Sequence, residues 1–173
     1  MITIFTGNGK GKTTAALGQA IRALGQNKKV LMIEFIKGDW ISGEDKFFQK
    51  FKNVNFKIIK TGRGFVKILN DHLPFSAHQK AAQKGLTLAQ KAIKSKKYDL
   101  IILDEINVAV ALKLLKKEEV LKIIKNYPKE KEIILTGRNA PKSFMKIADL
   151  ITEMKEIKHP FLKGKKAQAG QEF

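Results

Sequence analysis

Apolar residues along this chain come in short solid blocks, and the blocks alternate with stretches of helical spacing. Ile2-Thr-Ile-Phe5 is short, apolar and β-branched, which predicts a buried strand. From Lys12 to Leu24 the apolar positions are Ala16, Leu17, Ala20, Ile21 and Leu24, a helical period that Gly25 can end. Val30-Leu-Met-Ile33 with Phe35 predicts a second strand. Val54 to Ile59 predicts a third, with a turn at Thr61-Gly62-Arg63-Gly64 behind it. Ser76 is placed to cap a long helix that reaches about Lys96. Leu100-Ile-Ile-Leu103 is the next strand, closed by Asp104-Glu105. Helical patterns follow near Val108 to Leu115 and Glu118 to Tyr127, and Pro128 ends the second. Ile133-Ile-Leu135 is another strand, running into Thr136-Gly137-Arg138. A short helix near Lys142 to Ala148 leads to an extended piece from Leu150 to Met154.

Strands that read as solid apolar runs are buried on both faces. Alternation with helices therefore predicts an α/β architecture: a mostly parallel sheet of about six strands, covered by helices on both sides. No repeat or linker divides the chain. Residues 1–157 read as one domain, and the basic, glycine-bearing stretch 158–173 as a tail of the same domain.

Composition changes this picture little. The chain has 173 residues, enough for one sizeable core, and no run of apolar residues long enough to span a bilayer. It has no secretory signal pattern, so the expected location is cytoplasmic. Cysteine is absent, which excludes disulfides, thiolate metal sites and a thiol nucleophile. The net charge of +18 raises the question of nucleic acid. Against that, Arg22, Arg63 and Arg138 are the only arginines, and the lysines are spread over the predicted helices rather than gathered in a stripe.

The chemistry sits in Thr6-Gly-Asn-Gly-Lys-Gly-Lys-Thr-Thr14. A phosphate-cradling loop is usually G-x-x-x-x-G-K-[ST], and here the first glycine, Gly7, comes one place late. The physical requirements are met all the same. Glycines let successive N–H groups face one hollow, and a helix N-terminus lies behind it. Lys12 can reach phosphate oxygens, and the Thr13 hydroxyl can hold Mg²⁺. Asp104 and Glu105 end a buried strand, where ligands of open α/β sheets gather, and either carboxylate can hold that Mg²⁺. His72, His78 and His159 pair with no serine or carboxylate at a catalytic spacing, so no general base is evident.

The loop resembles that of the ATP:corrinoid adenosyltransferases of the CobA/BtuR type. So do Phe35-Ile-Lys-Gly38 with Trp40, Gly43 and Glu44, then Asp104-Glu105 and Thr136-Gly-Arg-Asn-Ala-Pro141. Ala148-Asp-Leu-Ile-Thr-Glu-Met154 and His159-Pro-Phe161 with Lys166-Ala-Gln168 continue the match in order. The late first glycine is shared with that family.

The resemblance implies a RecA-like P-loop fold, usually dimeric. It also implies that cobalt(I) of a corrinoid attacks the 5′ carbon of ATP and releases triphosphate. Cobalt(I) carries no proton to remove, which accounts for the missing base. Gly7, Asn8, Gly9, Lys10, Gly11, Lys12, Thr13, Thr14 and Arg138 are then the ATP residues, with Lys10 and Lys12 stabilising the leaving group. Thr13 with Glu105, or failing that Asp104, is the Mg²⁺ set. Trp40, Phe65 and Lys67 lie on the corrinoid side. An acidic electron-transfer protein is the expected source of electrons, and neither nucleic acid nor membrane is expected as a partner.

Two departures stand out. Strand one starts at Ile2, where the family carries an N-terminal arm that helps cover the site. After strand three the family's Gly-x-Gly-Phe-Thr-Trp is here Gly62-Arg-Gly-Phe-Val-Lys67, so lysine stands in the tryptophan's place. In the family these aromatics crowd the lower face of the corrinoid and drive off its axial base. Phe65 is left to act alone, which makes a base-free precursor a more secure substrate than complete cobalamin. The rival readings are a RecA-like ATPase that binds nucleic acid and a corrinoid-binding relative with impaired transfer.

Overall fold

The computed structural model describes residues 1–51, 55–68, 71–128, 130–159, 164 and 167–170. Its strands are β1 (Ile2–Thr6), β2 (Val30–Glu34), β3 (Phe56–Lys60), β4 (Leu100–Asp104), β5 (Glu132–Thr136) and β6 (Leu150–Glu153). They form one sheet in the order β3-β2-β4-β5-β1-β6, and every neighbouring pair is parallel. Between them lie α1 (Lys12–Gly25), α2 (Gly43–Lys50), α3 (Phe75–Ser95), α4 (Ile106–Ala111), α5 (Lys117–Lys125) and α6 (Lys142–Met145).

Strand alternation divides the core in two. Val30, Met32, Leu100, Ile102 and Ile134 pack with Ala16 and Ala20 of α1 on one face. Leu31, Ile33, Ile101, Leu103, Ile133 and Leu135 pack on the other with Leu86 and Ile93 of α3 and Val120 and Ile124 of α5. Each buried Leu or Ile side chain contributes about 1.5–3 kcal/mol. That two-sided burial is why the strands read as solid apolar runs.

The alternation has a consequence at the strand ends. Glu34 and Asp104 are register partners, one step beyond Met32 and Ile102 on the α1 face. The apolar pattern therefore delivers two carboxylates, both 0% exposed, to the carboxyl end of the sheet.

Several local expectations need correction. Helix α3 begins at Phe75 with Pro74 as its N-cap, so Ser76 lies inside the first turn rather than capping it. Proline at that place needs no N–H partner. The segment near 108–115 is helical only over α4, since Lys113 turns left-handed with φ 60°. Strand β3 begins at Phe56 and runs on to Lys60, while Val54 lies outside the described residues. Helix α2 went unseen in the apolar pattern because none of its residues is buried. Its signal was the capping box Ser42-x-x-Asp45.

Candidate functional site

The glycine loop joins β1 to α1. Gly7 and Gly11 have φ of 94° and 115°, a region that L side chains rarely adopt. Close approach explains the third glycine: a Cβ on Gly9 would lie 2.7 Å from the Lys155 carbonyl oxygen. The loop rests on the chain leaving β6, where the Gly9 N–H donates to the Met154 carbonyl at 2.7 Å.

Lys12 is buried in this loop, where its ammonium donates to the carbonyls of Gly7 (2.9 Å) and Gly9 (2.6 Å). Burial holds its pKa below the ordinary lysine value, against the opposing pull of Glu105. An ammonium held by two neutral carbonyls is poised to exchange them for phosphate oxygens. Asn8, Lys10, Thr14 and Arg138 are exposed around the same mouth. Arg138 follows β5 and acts electrostatically on both Lys12 and Glu105.

A chain of hydrogen bonds crosses from α1 to β5. The Thr13 hydroxyl donates to Asp104 Oδ1 at 2.8 Å, and the Thr136 hydroxyl donates to the same oxygen at 2.7 Å. Thr136 in turn accepts from the backbone N–H of Glu105 at 2.9 Å. Asp104 Oδ2 is buried with no hydrogen-bond partner among the described residues. Burial pushes the Asp104 carboxyl above the usual range. Glu105 leaves the strand in a left-handed conformation, with φ 60°. Its carboxylate lies near Gly137, where an added Cβ would be 3.0 Å from Oε2. Burial and then the charge of Asp104 raise its pKa to about 7.

These residues fit a divalent cation. They offer a hydroxyl and a carboxylate already in contact, an orphaned carboxylate oxygen and a second acid nearby. Among the described residues no three carboxylate or imidazole groups converge on a closed metal cage. Mg²⁺ does not need one, because it keeps several waters and takes one or two carboxylates plus substrate phosphates. The family resemblance favours Glu105 as the metal-side carboxylate, whereas the hydrogen bonds set Asp104 against Thr13.

The sequence assigned no role to Glu34 or Lys37. Lys37 Nζ donates to Glu34 Oε1 at 2.6 Å and to Glu44 Oε1 at 2.5 Å. Burial raises the Glu34 pKa to about 7, although Lys37 pulls it down. Burial also opposes the Lys37 charge, but Glu34 and Asp104 outweigh it and the pKa rises. Glu34 falls in no recognisable motif; an acid closing a strand of apolar residues was the available signal.

Of the three residues expected on the corrinoid side, two come together and one does not. Trp40 and Phe65 stack, with ring centroids 5.8 Å apart and planes 20° from parallel. Lys67 points elsewhere, its ammonium 4.9 Å over the Phe75 ring, and its own backbone is left-handed with φ 58°. A histidine–carboxylate pair, absent from the sequence reading, does form. His78 Nε2 lies 3.0 Å from Asp71 Oδ2, and Asp71 also accepts from the N–H groups of Lys67 and Leu73. It braces the loop behind Phe65.

A parallel α/β sheet, a glycine loop entering a helix at Lys-Thr, and a strand-end Asp on that threonine define a P-loop nucleotide-binding protein. The family ATP:corrinoid adenosyltransferase BtuR/CobO/CobP matches residues 1–173. Relatives agree over the whole chain. The corrinoid adenosyltransferase of Escherichia coli K12 is 35% identical over 173 residues, covering 100% of this chain and 85% of its own length. The corrinoid adenosyltransferase CobA of Salmonella typhimurium is likewise 35% identical with the same coverage. That of Pseudomonas aeruginosa is 36% identical over 174 residues, with 83% of its length covered. The chain belongs to the ATP:corrinoid adenosyltransferase family. Among the described residues no helix is long and apolar enough to cross a membrane.

Proposed function

We propose that this chain transfers the 5′-deoxyadenosyl group of ATP to the cobalt(I) of a corrinoid and releases triphosphate. The observation that carries the reading is spatial. The phosphate loop with its Thr13–Asp104 pair, and an exposed stacked aromatic pair, lie at the same carboxyl end of the sheet. In the reaction the cobalt–carbon bond forms as the C5′–oxygen bond breaks, and the bonding electrons of C5′–oxygen leave with triphosphate. No proton moves at the reacting atoms, so the protein's task is alignment, exclusion of water and stabilisation of leaving-group charge.

Lys12 and the N–H groups of the loop, other than that of Gly9, which is taken by Met154, hold the triphosphate, and Lys10 and Arg138 add positive charge at the rim. Thr13 and Asp104 hold Mg²⁺, with Glu105 beside them; the ion supplies charge neutralisation on the phosphates. Trp40 and Phe65 present a flat apolar face to the corrin ring. Lys67, turned onto Phe75, takes no direct part in that face. This leaves a base-free corrinoid as a better substrate than complete cobalamin.

The same reading makes the enzyme cytoplasmic and homodimeric, with no nucleic-acid partner. An acidic electron-transfer protein, steered by the +18 surface, supplies the electron that makes cobalt(I). The test mixes chemically reduced corrinoid, ATP and Mg²⁺ with the protein and follows the light-labile spectrum of the cobalt–carbon product. Stoichiometric product and triphosphate are expected. Hydrolysis of ATP stimulated by DNA or RNA, without a cobalt–carbon product, would overturn the proposal.

A further inference from the structure

Trp40 and Phe65 are 40% and 48% exposed, yet the backbone around them is tied by hydrogen bonds. Past the ends of β2 and β3 the two strands stay stitched. The N–H groups of Thr61 and Gly62 donate to the Glu34 carbonyl at 2.9 and 3.2 Å, and that of Gly64 to the Ile36 carbonyl at 2.9 Å. Gly38 lies directly under the indole, where an added Cβ would be 2.8 Å from the ring.

A single side chain closes the far side. Lys60, the last residue of β3, sends its ammonium to the Trp40 carbonyl at 2.6 Å and to the Asp45 carboxylate. Asp45 is itself fixed by the N–H and hydroxyl of Ser42, at 2.8 and 2.7 Å. Leaving two large rings half-exposed adds little to folding, so holding their backbone this tightly points to recognition. A rigid, flat macrocycle cannot adapt to a moving surface, and preorganising that surface removes an ordering cost from binding.

We propose that Lys60 is a positioning residue for the corrinoid. By bridging the Trp40 carbonyl and Asp45 it holds the Trp40–Phe65 pair as one rigid face. This rests on the corrinoid reading of that pair. Lys60 touches neither ATP residues nor reacting atoms, so its effect belongs to corrinoid binding alone.

The experiment compares wild type with Lys60→Met, which keeps the apolar stem, and Lys60→Arg, which keeps the charge. Trp40 is the only tryptophan, so its emission reports this loop without interference. In the ligand-free protein Lys60→Met raises acrylamide quenching of Trp40 about twofold and lowers its anisotropy, as expected of a freed ring. With preformed cobalt(I) and saturating ATP, the corrinoid KM rises about tenfold, the share of one charge-assisted hydrogen bond. The ATP KM stays within about twofold, and Lys60→Arg recovers most of the corrinoid KM. A corrinoid KM unchanged in Lys60→Met, or an ATP KM that rises with it, overturns the positioning role. No product from wild type sinks the adenosyl-transfer reading instead. The emission then decides about Lys60: unaltered quenching and anisotropy in Lys60→Met end the proposal.

Discussion

Replacing Asp104 by Asn separates two assignments that the sequence left side by side. Asp104 is 0% exposed; its Oδ1 takes hydrogen bonds from Thr13 and Thr136, and its Oδ2 has none among the described residues. An asparagine keeps the shape and both hydroxyl bonds to Oδ1. Its amide replaces Oδ2, so an unpaired donor replaces a buried charge. The two changes oppose each other, and ligand-free stability moves by about 1 kcal/mol or less. Cation binding has no such compensation. Losing a charge-assisted contact costs about 1.5–3 kcal/mol, which is roughly 10- to 150-fold in affinity. Glu105→Gln removes a charge that does not touch Thr13, and the expected loss is below about fivefold because distance and dielectric weaken it. The assay is the Mg²⁺ concentration for half-maximal adenosyl transfer at saturating ATP, with thermal unfolding as the control for fold. A titration for Asp104→Asn that overlays wild type, with a large shift for Glu105→Gln, would refute the assignment built on the Thr13 hydrogen bond.

Three further outcomes are expected. Lys12→Ala weakens ATP binding by roughly 10- to 150-fold, more where leaving-group charge develops, with little loss of folding stability because burial already disfavours the ammonium; calorimetric ATP affinity equal to wild type would sink the loop assignment. Glu34 and Glu105 have folded pKa values of about 7 against 4.5 unfolded, so between those values the folded protein holds protons that the unfolded chain releases. Stability of the ligand-free protein therefore falls as pH rises through that window, by up to about 3 kcal/mol per group, and levels off above it. Carboxylates with lowered values, such as Glu44 and Asp45, act in a lower window and in the opposite sense; denaturant midpoints that rise from about pH 5 to 7 contradict the burial of the first two. Phe65→Ala slows transfer that starts from cobalt(II) with a mild protein reductant far more than transfer from preformed cobalt(I). Equal losses with both cobalt states, for base-free and complete corrinoids alike, make Phe65 a structural residue.

Much of this protein is written in residues that act on their near neighbours. Blocks such as Leu100–Leu103 fit a sheet covered on both sides, which buries every residue of a run too short to make a core helix. Glycines at 7, 9 and 11 followed by Lys12-Thr13 announce a phosphate loop, because hollow, dipole and ligands all come from consecutive residues. Helix α2, by contrast, buries nothing and so left no apolar trace, although its capping box was legible.

What tertiary structure alone decided is which distant residues share a strand end. Asp104 rather than Glu105 meets Thr13 because β4 alternates Leu100, Ile102 and Asp104 onto the α1 face, while the backbone turns left-handed at Glu105. Glu34 stands beside Asp104 only because β2 pairs with β4 in that register. Trp40 and Phe65 are far apart in sequence, and nothing local joins them. Their contact comes from the stitched ends of β2 and β3 and from Lys60, and hydrogen bonds across a sheet edge leave no period along the chain. Lys67 reads as part of the aromatic motif, but its left-handed backbone turns it onto Phe75, a choice made by the fold of the loop and not by its spacing.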